Sequence, residues 1–325
     1  MMTQPWLSVI IPTYNGAEYL PFALDSIIEQ SDNAIECIAV DDCSTDATLS
    51  ILNAYKSRHP LQIIKREKQG NWVANTNFAL SLAKGQYVCF LHQDDLWFKD
   101  RLRVMRQVIN QFPGVDFFLH ASNFINVDGD NLGLWQCPLP SFPEVIKSEI
   151  MLERLLIQNF ISIPAPIFRL NTALRVGGLD ETAWYTADWD FWLKIAACSD
   201  TLYYPKPLSA FRIHPNSQTI VRSSYLIDFR GQLERVATKH LALWEAPEYK
   251  KKEVRKIADF SIQMNSALAG ALHGTKPSLV KLLTAFLSLG PSGWHRYFRD
   301  SRILERMSAR LKAGPTNLSK TQSNR

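Results

Sequence analysis

Residues 7–91 alternate apolar runs with amphipathic segments, and this alternation constrains the fold more than any other feature. Each run of β-forming residues is followed by a loop and then by apolar residues at helical spacing. The runs are 7–12, 35–40, 61–64 and 86–91. Strands that alternate with helices at this interval predict βαβ crossovers and a mostly parallel sheet. The sequence therefore predicts an α/β fold of nucleotide-binding character.

Two adjacent carboxylates follow the last of these runs. Asp94 and Asp95 come just after residues 86–91, which places them at the carboxyl end of a buried strand, where open α/β sheets bind ligands. Adjacent carboxylates repel each other unless a cation lies between them or one keeps its proton. Hard oxygen ligands suit Mg²⁺ or Mn²⁺ carrying phosphate oxygens. The alternative is that the pair only caps a helix beginning near Trp97, and the pair alone does not decide between them.

Composition and charge exclude several classes of protein. The chain has 325 residues, of which 46% are hydrophobic and 21% charged, as in ordinary globular proteins. Neither a signal peptide nor an apolar run of about 18 residues is visible. The five cysteines are scattered without Cys-x-x-Cys spacing, which argues against a disulfide framework or a zinc site. We therefore expect a cytoplasmic protein.

The pattern changes in the second half of the chain. Residues 121–147 are rich in glycine and proline and predict a long excursion. Residues 163–168 contain two prolines, so this run is expected at a sheet edge if it pairs at all. A helix is predicted over 188–198 and a short strand over 202–204.

Several short segments together resemble family 2 glycosyltransferases of the GT-A fold, and in particular bacterial enzymes that build O-antigen and other surface polysaccharides. The segments are 9–16 (VIIPTYNG), 40–46 (VDDCSTD), Asn77, 93–97 (QDDLW), 177–181 (GGLDE), 187–190 (ADWD) and 212–217 (RIHPNS). They are specific in combination and weak singly. The resemblance implies a GT-A catalytic domain over 5–220. The helical pattern beyond it predicts a helical C-terminal region over 221–313, and residues 314–325 are expected to form a disordered tail.

The function implied by the resemblance is inverting transfer of a sugar from a nucleotide-diphosphate donor to a hydroxyl of a glycan or lipid-linked acceptor. Two alternatives stay open. A nucleotidyltransferase would share the sheet, but it would need a glycine-rich phosphate-binding loop just after the first strand. Residues 13–16 do not provide one. A nucleotide-sugar-binding relative that has lost its chemistry would share the motifs.

The donor side is implied by residues at the ends of the first strands. By resemblance, Asp42 accepts a hydrogen bond from the nucleotide base. Asp41 would stabilise the turn after the second strand, and Tyr14 would lie against the ring of the base. A carboxylate facing an imide N–H makes a charge-assisted hydrogen bond. The alternative is that the same residues only form an aspartate-rich turn. The other donor-side residues are Pro12, Thr13, Asn71, Asp94 and Arg212.

The metal side is implied by Asp94, which matches the second carboxylate of the family's Asp-x-Asp motif. His92 replaces the first carboxylate, and it either ligates the metal as a neutral imidazole or makes no metal contact. His214 resembles the family's C-terminal histidine, which reaches the metal or the diphosphate, and Arg212 could face the diphosphate with it. Asp95 is a neighbour of the metal or an acceptor-side group. The implied cofactor is Mg²⁺ or Mn²⁺.

The catalytic base implied by the resemblance is Asp188, at the start of a predicted helix. Ala187 stands where the family usually has glutamate, and a carboxylate at this place could instead cap the helix, a task that Asp190 could share. Trp184 and Tyr185 precede the helix and are expected on the acceptor side, where they could stack on a sugar ring.

The basic C-terminal region leaves two interpretations open. Apolar and basic residues here indicate a basic, partly amphipathic helix, such as one that lies on an anionic membrane. The residues are Trp294, Arg296, Tyr297, Phe298, Arg299, Arg302, Ile303, Leu304 and Arg306. A helix packed on the catalytic domain explains the same pattern. The first interpretation predicts a peripheral protein at the inner face of the membrane, and no nucleic-acid-binding signature is present.

Overall fold

The computed structural model describes residues 4–314 and contains one mixed sheet with helices on both faces. The strands are β1 (Leu7–Thr13), β2 (Ile35–Asp41), β3 (Leu61–Lys65), β4 (Tyr87–Phe90), β5 (Leu96–Trp97), β6 (Phe117–Ile125), β7 (Asn131–Trp135), β8 (Glu144–Ile146), β9 (Ile167–Arg169) and β10 (Thr201–Arg212). The helices are α1 (Leu20–Ile28), α2 (Thr48–Tyr55), α3 (Trp72–Leu82), α4 (Arg101–Gln111), α5 (Ser148–Leu155), α6 (Leu170–Arg175), α7 (Ala187–Cys198), α8 (Gln218–Arg222), α9 (Leu226–Leu243), α10 (Glu248–Leu272), α11 (Leu279–Ser301) and α12 (Ile303–Ala313).

Strand β1 is buried along its whole length, and its side chains alternate between two hydrophobic cores. Val9 and Ile11 belong to the core that also contains residues of α1 and α4, whereas Ile10 belongs to the core with residues of α3 and α7. Because both faces of the sheet are covered, its strands are continuous apolar runs in the sequence. This explains why the strands were predictable.

The strand order is β3-β2-β1-β4-β9-β6-β10-β5, with β7 beside β6 and β8 beside β10. The pairs β2–β3, β1–β2, β1–β4 and β6–β10 are parallel. Strand β9 is antiparallel to both of its neighbours, β4 and β6. Within residues 4–314, β3, β2, β1, β4, β6 and β10 therefore share one direction, as the predicted mostly parallel sheet requires.

Two predictions for the second half were wrong. The run 163–168 does not form a sheet edge, because β9 lies between β4 and β6, and both Ile167 and Phe168 are fully buried. Its prolines precede the paired residues and so remove no hydrogen bond from the ladder. The predicted short strand 202–204 continues to Arg212, since irregular register around Pro207 accommodates the prolines within β10.

The segments before and after α4 also differ from expectation. Leu96 and Trp97 form β5, which pairs antiparallel with β10, and α4 begins only at Arg101. The alternative in which Asp94 and Asp95 cap a helix near Trp97 is therefore wrong. The predicted excursion over 121–147 contains the end of β6 as well as β7 and β8.

The C-terminal helices form a layer that returns to the sheet. Helix α11 is kinked at Gly290, where φ is 70°, and α12 starts after Arg302, which has a left-handed φ of 48°. Ala309 and Ala313 of α12 pack in a small core with Phe124 and Ile213. The helical C-terminal region is confirmed, while the division at residue 220 stays a prediction.

Two findings concern membrane-spanning helices and the predicted C-terminal tail. Within residues 4–314, no helix is both long and apolar enough to cross a bilayer. Apart from Gly314, the predicted tail over 314–325 lies outside the described residues.

Candidate active site

A cavity of about 750 Å³ lies where the carboxyl ends of β1, β2, β4 and β10 meet. The predicted site residues in its lining are Pro12, Thr13, Tyr14, Asp42, His92, Asp94, Asp95, Trp184, Tyr185, Asp188 and His214. Asp41, Asn71 and Arg212 lie outside this lining. The structure thus brings residues from the predicted donor, metal and acceptor sides into one cavity.

Two carboxylates with different contacts organise the end of β2. Asp41 is fully buried and accepts hydrogen bonds from the Ser44 N–H at 2.9 Å and the Ser44 hydroxyl at 2.5 Å, which fixes the turn. Asp42 lines the cavity and accepts the backbone N–H groups of Gln69 at 2.6 Å and Gly70 at 2.9 Å. Each Asp42 oxygen keeps a lone pair with which it can accept from a nucleotide base.

Two cations that the sequence analysis missed lie at the same end of the cavity. Lys68 donates a hydrogen bond to the Tyr14 hydroxyl at 3.1 Å. Arg222 lies over the ring of Trp184, with its guanidinium carbon 4.6 Å from the ring centroid, and donates to the carbonyl of Gly70 at 3.2 Å. Neither cation belongs to a motif, so only the fold reveals their positions.

Asn71 has a structural task at the start of α3. Its side-chain oxygen accepts the backbone N–H of Val73 at 3.0 Å, which caps the helix, and its amide donates to the carbonyl of Glu181 at 3.0 Å. The predicted contact with the donor phosphates therefore stays a prediction for a residue that lies outside the cavity lining.

The strongest candidate for holding a cation is the contact between Asp94 and His214. Nε2 of His214 lies 2.9 Å from Oδ2 of Asp94. Burial opposes ionisation of Asp94, yet the hydrogen bond from His214 and the charge of that imidazole hold the pKa of Asp94 below the ordinary value. Asp94 is therefore a carboxylate at neutral pH.

Asp95 differs from its neighbour in the direction of its pKa shift. Burial and the charge of Asp94 raise the pKa of Asp95 well above its ordinary value, and Arg212 only partly opposes this. A protonated Asp95 beside an ionised Asp94 relieves the repulsion between adjacent carboxylates. Oδ1 of Asp95 accepts the backbone N–H of Arg212 at 3.1 Å. The Arg212 guanidinium donates to three backbone carbonyls, those of Asp94, Asn126 and Val127.

His92 lies beside this pair as a neutral imidazole. Burial lowers its pKa, and its ring packs edge-on against Trp72 with centroids 5.0 Å apart. Among the residues that the structure describes, Nε2 of His92 and Nδ1 of His214 are buried without a hydrogen-bond partner. Within residues 4–314, no group of three or more His, Cys, Asp or Glu is placed to hold a metal. The donor set of Asp94 and His214 fits a cation that takes its other ligands from phosphate and water.

Asp188 is the second residue of α7 and is half-buried in the cavity wall. Its carboxylate accepts the N–H of Trp189 at 2.8 Å and the side-chain amide of Asn159 at 2.9 Å. Burial raises the pKa of Asp188 to about 6, and the two hydrogen bonds only partly oppose this. The helix N-cap is Thr186, so Asp188 does not occupy the capping position. Elevated pKa values in clefts are typical of catalytic acids and bases.

Asp190 lies on the other side of the same helix turn. It is 1% exposed, outside the cavity lining, and contacts Lys239 at 2.6 Å, His240 at 2.8 Å and Lys194 at 3.1 Å. Burial opposes its ionisation, but these partners hold its pKa below the ordinary value. Asp190 therefore anchors α7 to α9.

A family model described as glycosyl transferase family 2 matches residues 8–149. These residues belong to glycosyl transferase family 2. The family 2 region contains Asp42 and Asp94, whereas Asp188 and His214 lie beyond it. The GT-A fold expected from the sequence is confirmed.

Two curated relatives support this assignment. An uncharacterised glycosyltransferase of Haemophilus influenzae is 30% identical over 190 residues, which are 58% of this chain and 61% of the relative. The putative teichuronic acid biosynthesis glycosyltransferase TuaG of Bacillus subtilis is 41% identical over 142 residues, or 38% of this chain and 56% of the relative. The chain thus spans less than two thirds of the length of either relative.

A solved structure supports the fold over nearly the whole chain. The crystal structure of S. aureus TarS in complex with UDP-GlcNAc superposes with a TM-score of 0.65 at 22% identity. The superposition covers 96% of this chain and 89% of that chain. The likeness extends beyond the family 2 region and includes the C-terminal helices.

The aromatic residues that were predicted to lie on the acceptor side pack on each other at the cavity wall. The rings of Trp184 and Tyr185 have centroids 5.6 Å apart, and Tyr185 packs edge-on against Phe229 at 4.5 Å. Trp192, which lies on the same helix as Asp188, is fully buried in the core. Stacking of Trp184 or Tyr185 on a sugar stays a prediction.

The sequence analysis also missed that α12 reaches the cavity. Arg306 and Arg310 of this helix belong to the cavity lining, together with Asn159 and Asn265. Their spacing of four residues places both arginines on one helix face, but the sequence does not say which element that face meets. The helix is therefore packed on the catalytic domain, as one of the two interpretations of the C-terminal region predicts.

Proposed function

We propose that the protein is an inverting glycosyltransferase that moves a sugar from a nucleotide-diphosphate sugar to an acceptor hydroxyl. The observation that carries the proposal is the convergence of Asp42, the Asp94–His214 pair and Asp188 on one cavity of about 750 Å³. A base-recognition carboxylate, cation ligands and a general base are the parts that this reaction needs. Membership of residues 8–149 in glycosyl transferase family 2 supports the same reaction class.

Donor binding is assigned to the end of the cavity at β1 and β2. Asp42 accepts from the base, and its two hydrogen bonds from the Gln69 and Gly70 backbone hold it in place. Tyr14, with 38% of its surface exposed, offers a ring face to the nucleotide. Lys68 and Arg222 add positive charge near the diphosphate.

Departure of the diphosphate is assigned to the Asp94–His214 side. A Mg²⁺ or Mn²⁺ ion held by these two residues would offset the charge that develops on the leaving group. His214 is positioned by its hydrogen bond to Asp94 at 2.9 Å and by the ring of Tyr19, 4.9 Å away between centroids. Burial and the charge of Asp94 raise the pKa of Asp95, which disfavours a second negative charge at this site.

Proton removal from the acceptor hydroxyl is assigned to Asp188. A carboxylate with a pKa of about 6 is mostly ionised at neutral pH and is a stronger base than an exposed aspartate. The hydrogen bond from Asn159 orients its carboxylate. A direct displacement with one base inverts the anomeric centre, because the acceptor attacks the face opposite the leaving group.

The biological setting that we propose is cytoplasmic synthesis of a cell-surface polysaccharide on a glycan or lipid-linked acceptor. TuaG is named for teichuronic acid biosynthesis, and TarS was solved with UDP-GlcNAc. Peripheral contact with an anionic membrane is supported by an apolar face of α11 whose side chains are largely exposed to solvent. These residues are Leu279 (73%), Val280 (73%), Leu283 (57%) and Leu287 (55%).

The proposed function is tested by incubating the protein with UDP- and GDP-sugars and Mg²⁺ or Mn²⁺. We expect metal-dependent release of the nucleoside diphosphate and, with the correct acceptor, a product of inverted configuration by NMR. Tight nucleotide-sugar binding without any turnover would instead favour the non-catalytic relative, for which the His92 and Ala187 departures are the evidence.

A further inference from the structure

Helix α12 holds two arginines in the wall of the cavity. Ala309 and Ala313 fix one face of the helix against Phe124 and Ile213. Arg306 and Arg310 lie in the cavity lining with Tyr185 and Asp188. The α12 contact thus brings a positively charged helix face to the side where the acceptor hydroxyl is deprotonated.

Within the part of the chain that the structure describes, neither arginine has an anionic partner. Among residues 4–314, no carboxylate lies within ion-pair distance of either guanidinium, and no acceptor bonds to their side chains. Nη1 of Arg306 is buried and has no hydrogen-bond partner among residues 4–314. Burial and the charge of Arg310 lower the pKa of Arg306 to about 10. Like charges spaced four residues apart destabilise a helix, and an unpaired buried donor adds to that cost.

The position of the pair relative to Tyr185 assigns it to the acceptor side. Tyr185 lines the same cavity as both arginines and Asp188. Burial raises the pKa of Tyr185, and the charges of Arg310 and Arg306 only partly oppose this. Lys68 and Arg222 already serve the donor end through Tyr14 and Gly70.

We propose that Arg306 and Arg310 bind a phosphate group carried by the acceptor, so that the acceptor is a phosphorylated glycan or a lipid-linked sugar phosphate. Two guanidiniums match the negative charge and the fork geometry of a phosphate group. This inference rests on the proposed function, since it names the class of acceptor that would bind in the same cavity. The phosphate would fix the acceptor so that its hydroxyl faces Asp188.

The test measures binding of inorganic phosphate independently of turnover. The protein is first saturated with whichever of UDP or GDP raises its melting temperature most, so that the donor site is filled. Inorganic phosphate is then titrated at constant ionic strength, with acetate as a carboxylate probe. We expect phosphate to raise the melting temperature further and acetate to have a much smaller effect, because a ligand that binds only the folded state stabilises it.

The variants are Arg306→Gln, Arg310→Gln and the charge-preserving Arg306→Lys. The matched control is Arg235→Gln with Arg255→Gln, which removes two exposed charges outside the cavity. We expect the glutamine variants to fold at least as well as the parent, since they remove unpaired charge. Their dissociation constant for phosphate should rise at least about tenfold, whereas the control should keep its phosphate response. Arg306→Lys should retain part of the response.

Three results would overturn the inference. The first is an unchanged phosphate response in both glutamine variants. The second is a loss of nucleoside diphosphate binding in these variants equal to the loss of phosphate binding, which would assign the pair to the donor. The third is a response to acetate as large as that to phosphate. Failure of UDP and GDP to bind at all would count against the proposed function instead, and the phosphate arm would still report on the arginines.

Discussion

Nε2 of His214 lies 2.9 Å from Oδ2 of Asp94, although 120 positions separate the two residues in the chain. The contact joins the end of β10 to the loop after β4. It places an imidazole where the GT-A resemblance expects a second cation ligand. The pair also holds the pKa of Asp94 below its ordinary value, so the carboxylate is charged when a cation arrives.

The first prediction concerns this pair. Excess chelator should abolish turnover, and Asp94→Ala and His214→Ala should each raise the metal concentration needed for half-maximal turnover by at least about tenfold, as for loss of one ligand of a cation. Titration of Mn²⁺ against initial rate measures this. His92→Ala is the comparison variant, since Nε2 of His92 is buried in the same region without a hydrogen-bond partner among the described residues. Full turnover in chelator would show that the proposed cation site is wrong.

The second prediction concerns Asp42. Asp42→Ala should weaken nucleoside diphosphate binding by about 1–3 kcal/mol, because the base loses its acceptor and the Gln69 and Gly70 N–H groups lose theirs. Isothermal titration with UDP or GDP measures the effect. Glu67→Ala, an exposed carboxylate in the same loop, is the matched control and should bind like the parent. Equal affinities in the two variants would remove Asp42 from the donor site.

The third prediction concerns Asp188. Asp188→Asn should lower turnover by about 10²- to 10⁴-fold, the range for losing a positioned base, with donor affinity unchanged. Asp190→Asn is the contrasting variant from the same turn of α7. It should reduce the melting temperature, because it weakens a buried group of charges formed with Lys239, His240 and Lys194. Near-native turnover in Asp188→Asn at saturating substrates would exclude Asp188 as the base.

The fourth prediction concerns pH. Because the pKa of folded Asp188 is raised to about 6, turnover should fall on the acid side with a midpoint near pH 6. The effect on stability has the opposite sign. A carboxyl whose pKa is raised by folding stabilises the fold when protonated, fully below the unfolded pKa of about 4, and this contribution is lost as pH rises through about 6. The free energy of unfolding of Asp188→Asn should lack that loss between pH 4 and 6. Identical pH profiles of stability in parent and variant would contradict this.

The fifth prediction concerns the membrane. Replacing Leu279 and Leu283 of α11 with glutamate should reduce binding to anionic vesicles, since it removes apolar area and adds repulsion. Co-sedimentation at several salt concentrations measures the effect. Ile227→Glu, an exposed apolar residue on α9 with 92% of its surface accessible, is the control. If parent and α11 variant sediment equally, the contact does not depend on this face.

The sequence predicted those helices and strands whose formation depends mainly on their own residues. Strand β1 was legible because both of its faces are buried and every residue is therefore apolar or small. Strand β9 was not, because its prolines suggested an edge, whereas they lie just before the paired residues. The roles of Asp42, Asp94 and Asp188 came from the family resemblance. Arg306 was missed because its importance depends on where α12 packs, which no local pattern encodes.

The position of β9 also bears on how the nascent chain folds. Strands β1 to β4 are complete by Phe90 and pair only with each other until β9 arrives at Ile167–Arg169. The remaining strands cannot join the sheet in their final order before β9 is inserted, and β10 follows later still. Synthesis from the N-terminus would therefore leave the edge of β4 unpaired for more than seventy-five residues of elongation, about 4 to 15 s at typical ribosome speeds. Chaperones that shield apolar strand edges should associate with ribosome-bound chains that end between β4 and β9.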